Sequence, residues 1–155
     1  MRCGILSAVE GLRQRIAASA AALGVSASDV VRVYSPEYFL DSMESGRTYL
    51  AVFLQDVTID DEEIPSHLRK TVSVRAAICR KVNTLDCPEL DSVVNTFEAF
   101  QNMLSHFQHW QDSAGYDYAL TSAKSAGFLD DEALTSAGVA MCGFDLEIQT
   151  LVNIE

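Results

Sequence analysis

Two histidines in the second half of the chain are spaced as metal ligands on a helix would be. His106 and His109 stand three positions apart in a stretch of helical periodicity, which would place both imidazoles on one side of that helix. A protein zinc site needs three or four ligands, and the remaining histidine, His67, is far away in sequence. We therefore predict a structural role for this pair, with neither a metal nor any other cofactor in the chain.

An acidic run in the first half is a second candidate for ion binding. Asp60, Asp61, Glu62 and Glu63 lack the alternating ligands and the glycine with which a loop wraps around calcium. We interpret the run as a solvated loop or as a docking surface for a basic partner.

Four cysteines, Cys3, Cys79, Cys87 and Cys142, form no CxxC pair. Cys87 opens a predicted helix, but the partner histidine that a cysteine nucleophile requires cannot be identified for it. Cys79 and Cys142 lie in apolar stretches typical of strands and are predicted to be core residues. We therefore predict that the chain is not an enzyme.

Hydrophobic periodicity predicts the elements that position these residues. Residues 5–23 form a helix that ends at Gly24, and its apolar face carries Ile5, Leu6, Val9, Leu12, Ile16, Ala20 and Leu23. A short strand follows at 30–34, and Pro36 and residues 41–46 break the pattern.

Two strands, 47–59 and 71–82, are predicted to pair as a long hairpin around a charged loop, 60–70. The first is buried on both faces near its centre, and the second alternates, with Val72, Val74, Ala76 and Ile78 on one face and Ser73 and Arg75 on the other. We call the bases of this region the basic arm: Arg69, Lys70, Arg75, Arg80 and Lys81.

The strongest pattern is an amphipathic helix over 86–111, capped by Thr84 or Asp86 and ended by Gly115. Strands are predicted at 116–121 and at 139–152, the latter of an edge-type or half-solvated kind. Residues 122–137 read as an insertion that could hold a short helix near 130–137. The expected fold is one α+β domain, 1–155, in which a mainly antiparallel sheet with a long hairpin is packed by the long helix and by the short N-terminal helix.

Charge is divided unevenly along the chain. Residues 1–85 hold ten acids and ten bases, whereas residues 86–155 hold twelve acids and one base, Lys124, and so carry the whole net charge of −11. This balance argues against binding nucleic acid through its phosphates. The apolar residues of the N-terminus are interrupted by charges and no apolar run is long enough for a membrane span, so we expect a cytoplasmic protein without a membrane segment.

In the order of its elements the chain resembles the tail terminators of tailed bacteriophages, also called tail completion or tail-to-head joining proteins. The matching stretches are Ile5–Leu23, RTYLAVFLQDVTI, TVSVRAAICRKV, ELDSVVNTFEAFQNMLSHFQHW and GFDLEIQTLV. The resemblance is one of order and pattern, and the family has no signature residues to carry over.

The resemblance implies a virion protein of the tail or neck, assembled in the host cytoplasm. Its subunits would form a ring, most simply a hexamer, that caps the tail tube, stops its polymerisation and contacts the head connector. DNA would pass through the lumen without specific binding. We predict that the subunit or partner interface comprises the hairpin tip (Asp60, Asp61, Glu62, Glu63) and the basic arm (Arg69, Lys70, Arg75, Arg80, Lys81). Intramolecular pairing of the basic arm remains open as an alternative.

Three other functions stay open. One is a different neck or tail-tube component of the same particle. Another is an acidic inhibitor or immunity-type protein that binds a basic partner. The third is a small enzyme that uses Cys87 or the two histidines.

Overall fold

Both helices and strands occur in the part of the chain that the structure, a computed structural model, describes. That part comprises residues 5–59, 67–82, 87–106, 109–111, 117–126, 134 and 138–153. Its elements are, in chain order, α1 (Ile5–Ala18), α2 (Ala20–Leu23), a 3₁₀ turn (Ala27–Asp29), β1 (Val30–Arg32), α3 (Pro36–Asp41), β2 (Thr48–Ile59), β3 (His67–Lys81), α4 (Cys87–Leu104), β4 (His109–Gln111), β5 (Asp117–Ser125) and β6 (Val139–Asn153). The predicted α+β class is therefore confirmed.

The strands form one six-stranded sheet in the order β1-β2-β3-β6-β5-β4. β1 runs parallel to β2, and every other neighbouring pair is antiparallel. Of the two alternatives predicted for 139–152, an edge-type strand is wrong, because β6 lies between β3 and β5, whereas a half-solvated strand agrees with the alternating burial of 144–150. Its alternation of apolar and polar residues reports a single solvated face, which a central strand can have as well as an edge strand.

One face of the sheet, which we call the helical face, packs against α1, α2 and α4. Leu12 and Ile16 of α1 and Phe100 of α4 are fully buried there. The ring of Phe97 stacks on that of Phe144 with centroids 4.6 Å apart, and Phe100 meets the same ring at 5.6 Å. Burial of this apolar surface is the main stabilising contribution to the fold.

The opposite face, which we call the open face, is covered at one end by α3 and Met43. The smaller cluster there includes Tyr49, Phe53 and Cys79. Tyr49–Phe53 is thus buried on both faces, as the sequence predicts. Farther along the strands the open face carries polar and charged residues: Ser73, Arg75, Asp145 and Glu147.

Two β-bulges flank the central β3–β6 pair at almost the same level. One lies between Leu54 and Asp56 in β2, and the other between Leu120 and Ser122 in β5. Each inserts one residue, which reverses the alternation beyond it and returns apolar residues to the helical face: Val57 opposite Val72, and Ala123 opposite Leu146.

The N-terminal half differs from the prediction at three places. The helix expected over 5–23 is divided at Ser19 into α1 and α2, although Gly24 ends it at a φ of 73° as a left-handed cap. Leu6 is 52% exposed and does not belong to the buried face. Pro36 begins α3 instead of breaking the pattern, since proline lacks only a donor that the first helical turn leaves unused.

The long helix is shorter than predicted. α4 ends at Leu104, and residues 109–111 form β4, where Trp110 stacks on Tyr118 at 5.6 Å. Helical spacing in the sequence continues to Trp110. At 109–111, however, the backbone N–H and C=O groups pair with β5 instead of forming helical hydrogen bonds.

Strands extend into the predicted loop, 60–70, and into the predicted insertion, 122–137. β3 begins at His67, which removes 67–70 from the predicted loop, and β5 includes residues 122–125 of the predicted insertion. Residues 60–66, the caps at 83–86 and most of 127–137 lie outside the described residues.

Candidate functional site

The predicted interface is only partly within the described part of the chain. Asp60, Asp61, Glu62 and Glu63 lie outside it. Arg69 and Lys70 lie on β3, where their backbones are in register with Leu151 and Thr150 of β6, and their side chains are not described.

Arg75 is engaged within the chain on the open face. Its guanidinium donates to both oxygens of Asp145 on the neighbouring strand, at 2.8 Å and 3.3 Å. The two side chains are 38% and 42% exposed, so water screens the pair and it contributes little to stability, about 0–1 kcal/mol.

Arg80 lies on the other face of the sheet. It is five residues from Arg75, and an odd separation along a strand reverses the direction of the side chain. Its guanidinium donates to Glu89 in the first turn of α4 at 2.8 Å and to Thr48 of β2 at 3.0 Å, which ties the start of the helix to the sheet.

The basic arm therefore does not form one patch. Lys81, the last residue of β3, accepts a hydrogen bond from the Gly46 amide through its carbonyl oxygen at 3.1 Å. The two described arginines face opposite sides of the sheet, and each holds a carboxylate of its own chain. The interface role of the basic arm stays a prediction, and the alternative of intramolecular pairing describes Arg75 and Arg80.

An ion pair between the buried Asp29 and the exposed Arg47, not anticipated from the sequence, lies at the start of β2. Asp29 is 6% exposed and accepts hydrogen bonds from Arg47, one of them at 3.3 Å, while Arg47 also donates to Glu44 at 3.1 Å. The guanidinium of Arg47 lies 5.5 Å from the ring centroid of Tyr49. Because Asp29 and Arg47 are distant in sequence, no periodicity links them.

A second cluster joins α1 to the edge strand β1. Arg13 donates to Glu10 at 2.7 Å and to the carbonyl oxygen of Val30 at 3.2 Å. The hydrogen bond from Arg13, more than the opposing effect of burial, holds the pKa of Glu10 below its ordinary value. This arginine occupies a carbonyl that the edge strand would otherwise offer to another chain.

The predicted core thiols are buried. Cys79 and Cys142 are 2% and 3% exposed, and burial raises the pKa of each thiol to about 12. They belong to the two different core clusters and hence to opposite faces of the sheet. Cys87 is exposed at the start of α4.

The two histidines do not share a helix. His106 follows the end of α4, whereas His109 is the first residue of β4, so the predicted common helical face is wrong. Within the described ranges no three His, Cys, Asp or Glu side chains are grouped as a metal site would require.

Two hollows lie beside helix ends. One, of about 300 Å³, borders the ends of α1 and α4. The other, of about 360 Å³, is lined by Val33, Tyr34, Ser35, Phe39 and Ser42. Tyr34 is 70% exposed there, and the guanidinium of Arg32 lies 5.6 Å from its ring centroid. Exposed tyrosine and arginine are residue types enriched in protein interfaces.

Comparison with known proteins adds no assignment. No protein-family model matches the chain, and no curated protein matches its sequence. None of the helices in the described part of the chain combines the length and the apolar character that crossing a bilayer requires.

Proposed function

We propose that this chain is a structural ring subunit of a tailed-phage particle, of the kind that caps the tail tube and joins it to the head connector. The observation that carries the proposal is the order and pairing of its elements. α1 precedes the sheet, α4 follows the antiparallel β2–β3 pair, and β5 and β6 come last. This is the order on which the resemblance to tail terminators rests.

In this proposal β2 and β3 are one long hairpin. Their register runs from the Thr48–Arg80 pair to the Ile59–Lys70 pair, so residues 60–66 connect the far ends of two long strands. Four consecutive acids in such a connection are suited to contact a neighbouring subunit or the tail tube, because functional contacts are often made by loops held on a rigid scaffold.

The proposal also takes α4 as an amphipathic helix whose outer side is acidic. Val93, Phe100 and Leu104 are buried, whereas Asp91 and Glu98 are exposed. Acidic side chains around a lumen would keep DNA phosphates from adhering during passage, since a phosphate backbone binds clustered cations.

The test is the mass and shape of the purified chain over a concentration series, by light scattering with negative-stain imaging. We expect closed rings, most simply hexamers. A chain that stays monomeric, both alone and in the presence of tail tubes, would overturn the proposal. A different neck or tail-tube component is distinguished by the partner it joins: a terminator ring should stop the lengthening of tail tubes in vitro.

A second candidate, an acidic inhibitor, is favoured by the net charge of −11. It would bind one basic partner stoichiometrically, without self-assembly and with affinity that falls steeply as salt rises. Closed rings with no such salt-dependent partner would exclude it.

A further inference from the structure

The two long sides of the sheet are each only partly covered. On one side β1 pairs with β2 at Leu50, Ala51 and Val52, and β2 then continues to Ile59. On the other side β4 pairs with β5 up to Ala119, and β5 then continues to Ser125. Among the described residues, no strand lies on the outer side of 56–59 or of 122–125. We call these two stretches the open edges.

Both open edges begin at a bulge. The bulge of β2 precedes Asp56, and the bulge of β5 precedes Ser122, so each open edge is four residues of regular strand. Most of their side chains are exposed, among them Asp56, Thr58 and Lys124. On the β2 edge the Val57 amide donates to the carboxylate of its neighbour Asp56 at 2.8 Å, a local bond that pairing with another strand would replace. Edge backbone groups that lack a strand partner are a template for pairing with another chain.

The strand directions make the two open edges compatible. β2, β3, β6 and β5 are consecutive antiparallel neighbours, so β2 and β5 run in opposite directions. If a second copy continues the sheet in the same orientation, its β5 is antiparallel to β2 of the first copy. Antiparallel pairing then continues from copy to copy without reversal.

From these observations we infer that a second copy of this chain pairs its open β5 edge, 122–125, with the open β2 edge, 56–59. In the register that keeps side chains on matching faces, Asp56 lies opposite Lys124 and Val57 lies opposite Ala123. Thr58 then lies opposite Ser122. The three pairs are ionic, apolar and hydroxylic, which are favourable combinations across antiparallel strands.

The faces agree with the register inside each copy. Asp56 pairs with Ser73 of β3, and Ser73 pairs with Glu147 of β6. Lys124 pairs with Asp145 of β6. Both side chains therefore lie on the open face. Val57 and Ala123 are opposite Val72 and Leu146, both buried on the helical face. Charge therefore meets charge on one face, and apolar groups meet on the other.

The pairing requires a small stagger between copies. Along the sheet, Asp56 is at the position of Glu147 in β6, whereas Lys124 is at the position of Asp145. Placing Asp56 opposite Lys124 of the second copy therefore shifts that copy by two residues, or about 7 Å, along the strand direction. β1 occupies the β2 edge at 50–52, and β4 occupies the β5 edge at 117–119, which limits how far the neighbouring copy can slide. A regular stagger tilts the strands, and tilt is a requirement for closing a sheet around an axis.

This inference rests on the proposed ring and specifies its subunit contact. The experiment is disulfide cross-linking of the full chain carrying Asp56→Cys and Lys124→Cys. Cys3→Ser and Cys87→Ser are included so that the remaining native thiols are the buried Cys79 and Cys142. Opposed residues in antiparallel strands are within disulfide reach, so oxidation should give a ladder of covalent oligomers.

Two controls make the register specific. Asp56→Cys with Ala123→Cys differs by one position and places the thiols on opposite faces, so it should give at least tenfold less cross-linking. Mixing the Asp56→Cys chain with the Lys124→Cys chain should give covalent heterodimers, and neither chain alone should give dimers. In addition, D56K or K124D should weaken association, and the double exchange should restore it.

The outcomes separate this contact from the ring proposal. A ladder within closed rings supports both, and a ladder in open chains of subunits supports the contact while overturning the ring. Closed rings without the cross-link overturn the contact alone. Monomers without cross-links overturn both.

Discussion

A Cβ atom on Gly143 would lie 2.3 Å from the carbonyl oxygen of Ala76 and 2.8 Å from the Cα of Ala77. These are backbone atoms of the paired strand β3, so they cannot move without distorting the strand pairing. We expect Gly143→Ala to lower the free energy of unfolding by about 1–3 kcal/mol, the usual cost of overpacking. Chemical denaturation measures the change.

Gly11→Ala is the matched control. Its Cβ would lie 3.5 Å from Nε1 of Trp110, an ordinary contact, and its site is inside α1. Alanine in a helix interior is more stable than glycine by about 0.5–1 kcal/mol, so this variant should be neutral or stabilised. Equal losses for the two variants would show that the β3–β6 approach is not the cause.

Because two thiols are buried, we expect the free energy of unfolding to fall at alkaline pH. Their pKa is about 12 in the folded chain, against an ordinary value of 9.0, so the folded state holds these protons more tightly than the unfolded state. The contribution is complete below about pH 9.0 and is lost as the pH rises toward 12. Replacing both Cys79 and Cys142 by Ala should flatten that part of the curve of unfolding free energy against pH.

For single residues, burial could be predicted from the hydrophobic pattern of the surrounding sequence, whereas contacts between residues distant in sequence could not. The placement of Cys79 and Cys142 in apolar strand-like stretches predicted their burial. The pair of Asp29 with Arg47 has no signal in the sequence, because it forms only when the 3₁₀ turn and the start of β2 are brought together.

At the scale of elements, α4 contributes to the core mainly through its buried stripe. Phe100 is fully buried against Phe144, whereas Phe97 is only partly buried. Phe100→Ala should cost about 3–5 kcal/mol of unfolding free energy. Phe97→Ala should cost less, because the side chain of Phe97 removes less surface from water. Urea denaturation of both variants tests this order, and a larger loss for Phe97→Ala would contradict it.

The ends of the elements depended on tertiary pairing. The apolar spacing of α4 continues beyond Leu104 in the sequence, yet Trp110 belongs to β4 because it packs on Tyr118 across a strand pair. In the same way β3 and β5 extend into polar segments, because a neighbouring strand supplies backbone hydrogen bonds whatever the side chains are.

At the scale of the whole molecule, the acids of the connection 60–66 are expected to act in assembly and not in folding. Replacing Asp60, Asp61, Glu62 and Glu63 by Ser should leave the free energy of unfolding within about 0.5 kcal/mol of the original, as surface changes usually do. Ring formation, followed by light scattering, should be impaired.

The control for this prediction removes acids elsewhere. Asp91→Ser with Glu98→Ser takes two exposed carboxylates from α4 and should leave assembly unchanged. If both sets of changes weaken assembly alike, net charge is responsible; if the 60–63 variant assembles normally, the predicted role of the acids is wrong.

The sequence by itself determined the α+β class, the approximate positions of the main strands and helices, and which face of β3 and β6 is buried. These follow from side-chain periodicity, a local property that hydrophobic burial imposes on each segment. Only the tertiary structure decided that β6 is central and that Arg75 and Arg80 hold carboxylates on opposite faces. It also decided that, within the described ranges, no strand lies outside 56–59 of β2 or 122–125 of β5. Strand order, ion pairs and free edges depend on which distant segments meet, and the residues of one segment do not encode the choice of its neighbour.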